Sequence, residues 1–378
     1  MPRRAARVRG TGHDRPGNVS RARRAALPFA LLLAVLACGC SRRASGRWQA
    51  VELPTNAVFN GIWFTDSLNG WISGDVRGEH GGLLGRTRDG GRTWTFRSHV
   101  APGPGESSYW GEIQFRDTLH GCVVGDGGAM LTADGGLTFR RARPSRPSLT
   151  RLQLAGADGW ALGSAALIGT SDSGETWHEL VDHQDPNQYL AGRAAAFTDA
   201  SHGWLLSFRE PLMRSDDGGH EWTPVPLPLA RDSVGALNDI TFVDASHGWL
   251  VGEFGTICRT RDGGVTWERQ VNGVPVERVL ANGEQPRPRG GEAGDPRLML
   301  LAVRFADLER GFAAGFYGDG GGSVILGTRD GGASWVTEAT APGQILQRLF
   351  VLDRRHAWAV GADAGQQPTL LYRYTADD

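Results

Sequence analysis

One eight-residue motif returns six times along this 378-residue chain, and no other feature restricts its fold as much. The copies open at Thr87, Thr132, Thr170, Ser215, Thr260 and Thr328, and each reads Ser/Thr-x-Asp-x-Gly-x-x-Trp or Phe. The paired landmarks are Asp89 with Trp94, Asp134 with Phe139, Asp172 with Trp177, Asp217 with Trp222, Asp262 with Trp267 and Asp330 with Trp335. Recurrence at this period means stacked copies of one supersecondary unit, none of which buries its apolar face alone.

A second landmark precedes each copy: Gly70-Trp71, Gly121-Cys122, Gly159-Trp160, Gly203-Trp204, Gly248-Trp249 and Gly311-Phe312. A seventh, Ala357-Trp358, is followed by no complete Asp-Gly turn. The unit around Trp249 divides into four strand-length apolar runs, Ile240–Phe242, Trp249–Val251, Thr256–Arg259 and Val265–Glu268, separated by Asp, Ser and Gly turns. Four antiparallel strands per roughly 45 residues is the pattern of a β-propeller blade. The chain ends on Thr375-Ala-Asp377-Asp378, the first half of the motif, and Gly46-Arg-Trp48 supplies the second half. The expected fold is therefore all-β: a seven-bladed propeller of four-stranded antiparallel blades over 41–378, closed by the N-terminal strand.

The aspartate of each turn is suited to accept from its own backbone N–H groups and the Ser/Thr hydroxyl to join it, while the glycines supply positive φ. Six such aspartates on six blades cannot converge, so they read as structural. The Trp of each motif is expected to enter the outermost strand and pack between sheets.

Residues 1–40 read as a lipoprotein-type signal segment. Eight arginines, from Arg3 to Arg24, precede the apolar run Ala25–Ala37, which is too short to span a membrane. The run ends Val35-Leu-Ala-Cys38-Gly-Cys40, where Cys38, or else Cys40, is the expected lipidation site. Removing this leader takes the formal net charge from −1 to about −8, a poor match for nucleic acid. The chain has no lysine, which excludes Schiff-base chemistry. Cys122 and Cys258 fall on different blades and are expected as buried thiols.

The extended pattern Phe-x-Asp-x-x-His/Asn-Gly-Trp-x-x-Gly, then Ile-x-x-Thr-x-Asp-Gly-Gly-x-Thr-Trp, resembles the photosystem II stability/assembly factor propellers, a family built on the Asp-box or bacterial neuraminidase repeat. The resemblance spans about 46–378. It implies a seven-bladed, extracytoplasmic, often lipidated propeller that acts without enzymatic chemistry in assembling a photosynthesis-related membrane complex. It also implies an arginine-lined patch for the client, which the sequence does not assign to particular residues. Cys122 and Phe139 depart from the family's pattern.

Function is then expected to be binding of a protein partner in the membrane or envelope, with no cofactor, no metal and no nucleic acid. Loops opposite the Asp-Gly turns carry the irregular sequence, at 75–82, 101–110, 182–190, 224–238, 316–323 and a Pro- and Gly-rich insertion at 272–297 that reads as mobile. Tyr109, Trp110, Tyr189, Arg209, Phe254 and Tyr317 are the candidate partner-binding residues there. The alternative is a sialidase-like glycoside hydrolase or a glycan-binding propeller. A hydrolase needs paired carboxylates, and Glu112, Glu210, Glu253 and Asp319 are the candidates without a distinguishing spacing. The early Arg-Ile-Pro element of sialidases is absent, and Phe208-Arg-Glu-Pro211 lies mid-chain. His178, His202 and His247 are isolated, with no zinc spacing.

Overall fold

The computed structural model describes residues 46–76, 81–99, 109–143, 148–163, 166–181, 192–208, 210–229, 235–270, 295, 297–363 and 369–376. The Asp-Gly turn sets where strands stop. In the first copy, Thr87 Oγ donates to Asp89 Oδ1 (2.8 Å) and accepts from Gly91 N (2.9 Å). Asp89 also accepts from Arg92 N, Thr93 N and the Thr93 hydroxyl, at 3.0, 2.9 and 2.6 Å. Gly90 and Gly91 sit at φ +74° and +84°, a region that side chains disfavour. One carboxylate thus saturates the turn's orphan N–H groups. The third copy has Ser173 at φ +61°, and its hydroxyl bonds Gly156 O as partial compensation.

Twenty-eight strands, β1 to β28 in chain order, assemble among the described residues into seven four-stranded antiparallel sheets. Blades 1 to 6 occupy 58–99, 110–141, 149–179, 192–224, 237–269 and 298–341. Blade 7 combines 344–375 with β1 (Arg47–Glu52), which pairs with β28 (Leu370–Thr375) from Arg47↔Thr375 to Glu52↔Leu370. The ring closes as expected, and Trp48 fills the place of the motif Trp, 7% exposed.

One detail differs from the sequence reading. The outer strand of blade 5 is Glu268–Arg269 alone. Thr266 N donates to Asp262 (2.9 Å), which keeps the backbone in the turn as far as Trp267. The motif Trp therefore precedes the outer strand instead of lying within it.

Cohesion between blades comes from the Gly-aromatic landmark. Trp71 stacks on Phe115 of the next blade, Trp160 on Phe197, Trp249 on Phe305 and Trp358 on Phe64, with ring centroids 3.5 to 4.1 Å apart. Their indole N–H groups cap the next blade's turn, as in Trp71 to Gly135 O (3.1 Å) and Trp249 to Gly331 O (3.1 Å). Each tryptophan so combines a large apolar contact with one satisfied donor. Three blades depart: Cys122 stands at this position in blade 2 and Phe312 in blade 6, and in blade 4 Trp204 stacks on Phe242 with its Nε1 unpartnered among the described residues. Cys122 and Cys258 are both buried and neither is in a disulfide, and burial pushes the Cys122 thiol up to about 12.

The turn chemistry has a pH signature. Burial pushes the Asp89 and Asp134 carboxyls up, but the turn's hydroxyl and N–H donors outweigh it and hold both at about 2. A carboxyl depressed on folding contributes stability above its unfolded value, and that contribution disappears as pH falls through its folded value. Thermal melts should therefore show a Tm that drops steeply between about pH 4 and about pH 2. A flat profile across that window would mean the turns contribute nothing through charge.

Candidate functional site

All seven blades carry a register shift in the innermost strand. The strands are β2 (Val58–Phe64), β6 (Trp110–Phe115), β10 (Leu149–Ala155), β14 (Gly192–Phe197), β18 (Leu237–Phe242), β22 (Leu298–Phe305) and β26 (Gln344–Val351). Residues skipped by the ladder include Asn60, Thr150, Arg193, Asn238, Leu301 and Gln347. A bulge re-aims side chains at a rim. Here Thr150, Arg193, Asn238, Leu301 and Gln347 line one mouth of the central channel with Tyr109, Arg151, Phe208 and Arg348, around a cavity of about 370 Å³.

Side chains in the channel tie neighbouring inner strands together. Asn60 Nδ2 donates to Trp110 O (3.0 Å), Asn238 Nδ2 to Leu300 O (2.8 Å) and Gln347 Nε2 to Phe59 O (3.0 Å). Gln153 both accepts from Phe197 N (2.9 Å) and donates to Phe197 O (2.6 Å). These contacts satisfy backbone groups on an inner edge that no ladder covers.

The channel's charges are unequal. Glu112 Oε1 lies 2.8 Å from Arg151 and 3.7 Å from Arg348, and Glu112 Oε2 accepts from Leu152 N (2.9 Å). Asp239 Oδ2 accepts from Arg304 (2.5 Å) and from Val303 N (2.9 Å). Burial pushes the Glu112 carboxyl up, yet Arg151, Arg348 and Arg304 outweigh it and leave it below its ordinary value. Arg151 rises, because Glu112 and Asp239 overcome its burial. Arg348 is the loser: burial and the Arg151 charge lower it to about 10. It remains cationic at neutral pH with its charge only partly neutralised. Arg193 adds a further cation at the mouth, bonded to Asn238 Oδ1 (3.1 Å) and lying over the Phe208 ring. An arrangement of this kind attracts a carboxylate or another anion.

The family model for the photosynthesis system II assembly factor YCF48 matches residues 227–280. The photosystem II assembly lipoprotein Ycf48 of Synechococcus sp. (strain CC9902) is 24% identical over 361 residues, covering 88% of this chain and 93% of that one. The chain is similar to the photosystem II assembly factor propellers. A solved YCF48 bound to D1 peptide superposes with a TM-score of 0.63 at 21% identity, covering 88% of this chain and 96% of that one. The GH74 xyloglucanase of Xanthomonas campestris shares the fold at a TM-score of 0.59 and 16% identity, over 86% of this chain and 55% of its own.

In this propeller the candidate partner-binding residues separate. Tyr109 is half-buried and lines the channel mouth. Trp110 is a correction: it opens β6, is 5% exposed and stacks on His99 and against Phe139, so it belongs to the blade core. Phe254 occupies a tight turn at φ +58°, over Gly235, and Tyr317 packs on the cluster of Trp249, Leu298 and Trp335. Neither lines the channel. Tyr189, Arg209, Cys38 and Cys40 lie outside the described residues, as does most of the 272–297 insertion. The insertion's end is tied down, since Asp295 is 1% exposed and bonds Arg297, which also pairs with Asp319 (2.9 Å).

Sequence reasoning missed Arg151, Arg193, Arg304 and Arg348, and singled out Glu112 for another role. A signal was present. Three residues before Phe64, Phe115, Leu154, Phe197, Phe242, Phe305 and Val351, at or next to the end of each inner strand, stand Gly61, Glu112, Arg151, Ala194, Asp239, Ala302 and Arg348. Four of these are charged in strands that are otherwise largely apolar. Read down the repeats instead of along the chain, that column marks the channel.

Proposed function

We propose that this chain is a non-enzymatic, extracytoplasmic protein-binding propeller that holds a segment of a membrane or envelope protein at its channel mouth, aiding assembly or stability of that protein's complex. The observation that carries the reading is the under-neutralised arginine group at the mouth, Arg193 and Arg348, beside Tyr109 and Phe208. A peptide with a carboxylate and an apolar neighbour fits this chemistry: guanidinium for the charge, aromatic faces for the side chain. The relative solved with a D1 peptide supports peptide capture as the class of activity. The curated relative is called a lipoprotein, which supports an acyl anchor on Cys38, or else Cys40, after removal of residues 1–40.

The carboxylates argue against hydrolysis. Glu112 is held ionised by two arginines, so it cannot serve as the protonated acid that a glycosidase requires. Glu210, Glu253 and Asp319 sit in turns of blades 4, 5 and 6.

Affinity purification of the tagged chain from its own membranes would identify the client. With the client's segment as a synthetic peptide, Arg193→Gln together with Arg348→Gln should weaken binding by about tenfold or more in calorimetry. A cooperative thermal melt would show that the double variant is folded. Unchanged affinity in the folded double variant would remove the channel mouth from the binding site.

A further inference from the structure

We propose that the Asp-turn face of blades 7, 1 and 2 is the membrane side of the molecule, where Arg86, Arg88 and Arg97 take the phosphate of an anionic phospholipid headgroup. These three arginines line a cavity of about 310 Å³ between blades 1 and 2, on the face opposite the channel mouth. Arg86 is half-buried and donates to Gly135 O and Thr118 O, while its Nε has no partner among the described residues. Arg88 and Arg97 are exposed, with no ion-pair partner among the described residues. The one carboxylate at the cavity, Asp89, has both oxygens engaged by its own turn. Leu137 lines the cavity at 49% exposure, and Leu68 and Leu119, whose carbonyls accept from Gly90 N and Gly135 N, are 50% and 49% exposed in the adjoining turns. Cations beside exposed leucines match the phosphate and upper acyl levels of a bilayer. The same face of blades 3 and 4 carries Asp172, Glu175, Asp216, Asp217 and Glu221, so charge disfavours those blades and is compatible with the sector of blades 7, 1 and 2.

Chain connectivity selects it independently. Arg47, the first residue of β1, pairs with Thr375 at the end of blade 7 that carries the Asp turns. Cys38 precedes Gly46 by eight residues, which span at most about 26–29 Å when extended. An acyl group on Cys38 would hold this end of the ring close to the bilayer, a step that rests on the anchor reading above. The channel mouth, at the other end of the inner strands, then faces away from the lipid.

The test uses the full chain carrying Cys38→Ala and Cys40→Ala, so that no acyl group contributes. The two remaining thiols are buried, and an environment-sensitive fluorophore can be placed through Leu119→Cys or, on the opposite face, through Phe208→Cys. With phosphatidylglycerol vesicles the Leu119 probe should brighten and shift to the blue, with phosphatidylcholine vesicles it should not, and the Phe208 probe should respond to neither. Adding Arg88→Gln and Arg97→Gln should weaken vesicle partition by about twenty- to thirtyfold. A shift at the Phe208 probe, or equal partition of the arginine variant, would overturn the proposal. So would arginine-dependent binding of inorganic phosphate without vesicle docking, which would reassign the pocket to a free anion. Arg193→Gln with Arg348→Gln should leave vesicle partition unchanged while lowering client capture, so the two readings fail separately.

Discussion

Trp358→Ala is expected to lower unfolding free energy by about 3–5 kcal/mol, the range for deleting a buried large aromatic side chain. Trp358 is 0% exposed and lies 3.6 Å above Phe64, almost parallel to it. Its Nε1 donates to Gly90 O at 3.0 Å. These contacts join blade 7 to blade 1, the seam where the two ends of the chain meet. Elsewhere a blade follows its predecessor along the chain, and covalent continuity limits separation. At this seam the other ties include the ladder of β1 on β28 and the bonds of Gln347 to Phe59 O and of Arg348 to Asn60 O. Trp358→Phe keeps the stack and leaves Gly90 O unpaired, so it should cost about 1–3 kcal/mol. Urea melts of both variants would rank these contributions. If Trp358→Ala unfolds at the parent's midpoint, closure rests on the β1 ladder and the inner-strand bonds instead.

Glu112→Ala should cost a similar amount, about 3–5 kcal/mol, for an electrostatic reason. The carboxylate sits between Arg151 at 2.8 Å and Arg348 at 3.7 Å, and both arginine side chains are only 14% exposed. Without it two poorly hydrated cations face one another, and Leu152 N loses its acceptor. Arg348, already lowered to about 10 by burial and by Arg151, bears most of that repulsion. Adding Arg151→Met should recover part of the loss, since it removes one of the two cations and keeps an apolar stem. Salt should also recover some, because chloride can enter the mouth. A Glu112→Ala protein within about 1 kcal/mol of the parent would mean that the channel is solvated well enough for the pair to count as a surface ion pair. The same variant should bind a carboxylate peptide at least as well as the parent, which separates its effect on stability from its effect on the client.

The fold was legible in the sequence because its determinants are local. Thr87, Asp89, Gly90 and Gly91 complete their turn within a few residues, and six repetitions expose the rule. Ring closure was legible for the same reason: Thr375 and Trp48 are halves of a motif already read six times. The outer strands were misjudged by two or three residues, because the aspartate's hold on Thr266 N competes with the ladder. Trp110 was misjudged because it borders an irregular loop in the sequence, while in space it closes over His99 and Phe139.

The sequence by itself determined the architecture, the blade number, the closure and the structural role of the turn aspartates, since each depends on residues near one another in the chain. Only the tertiary structure decided the site. Arg151, Arg193 and Arg348 come from blades 3, 4 and 7, and each looks like an ordinary arginine among the many in the chain. What makes them a site is a bulge in every inner strand, the convergence of seven strands on one axis and a shortage of carboxylates there. Charge balance in a channel is a property of the closed ring, and no stretch of sequence contains it.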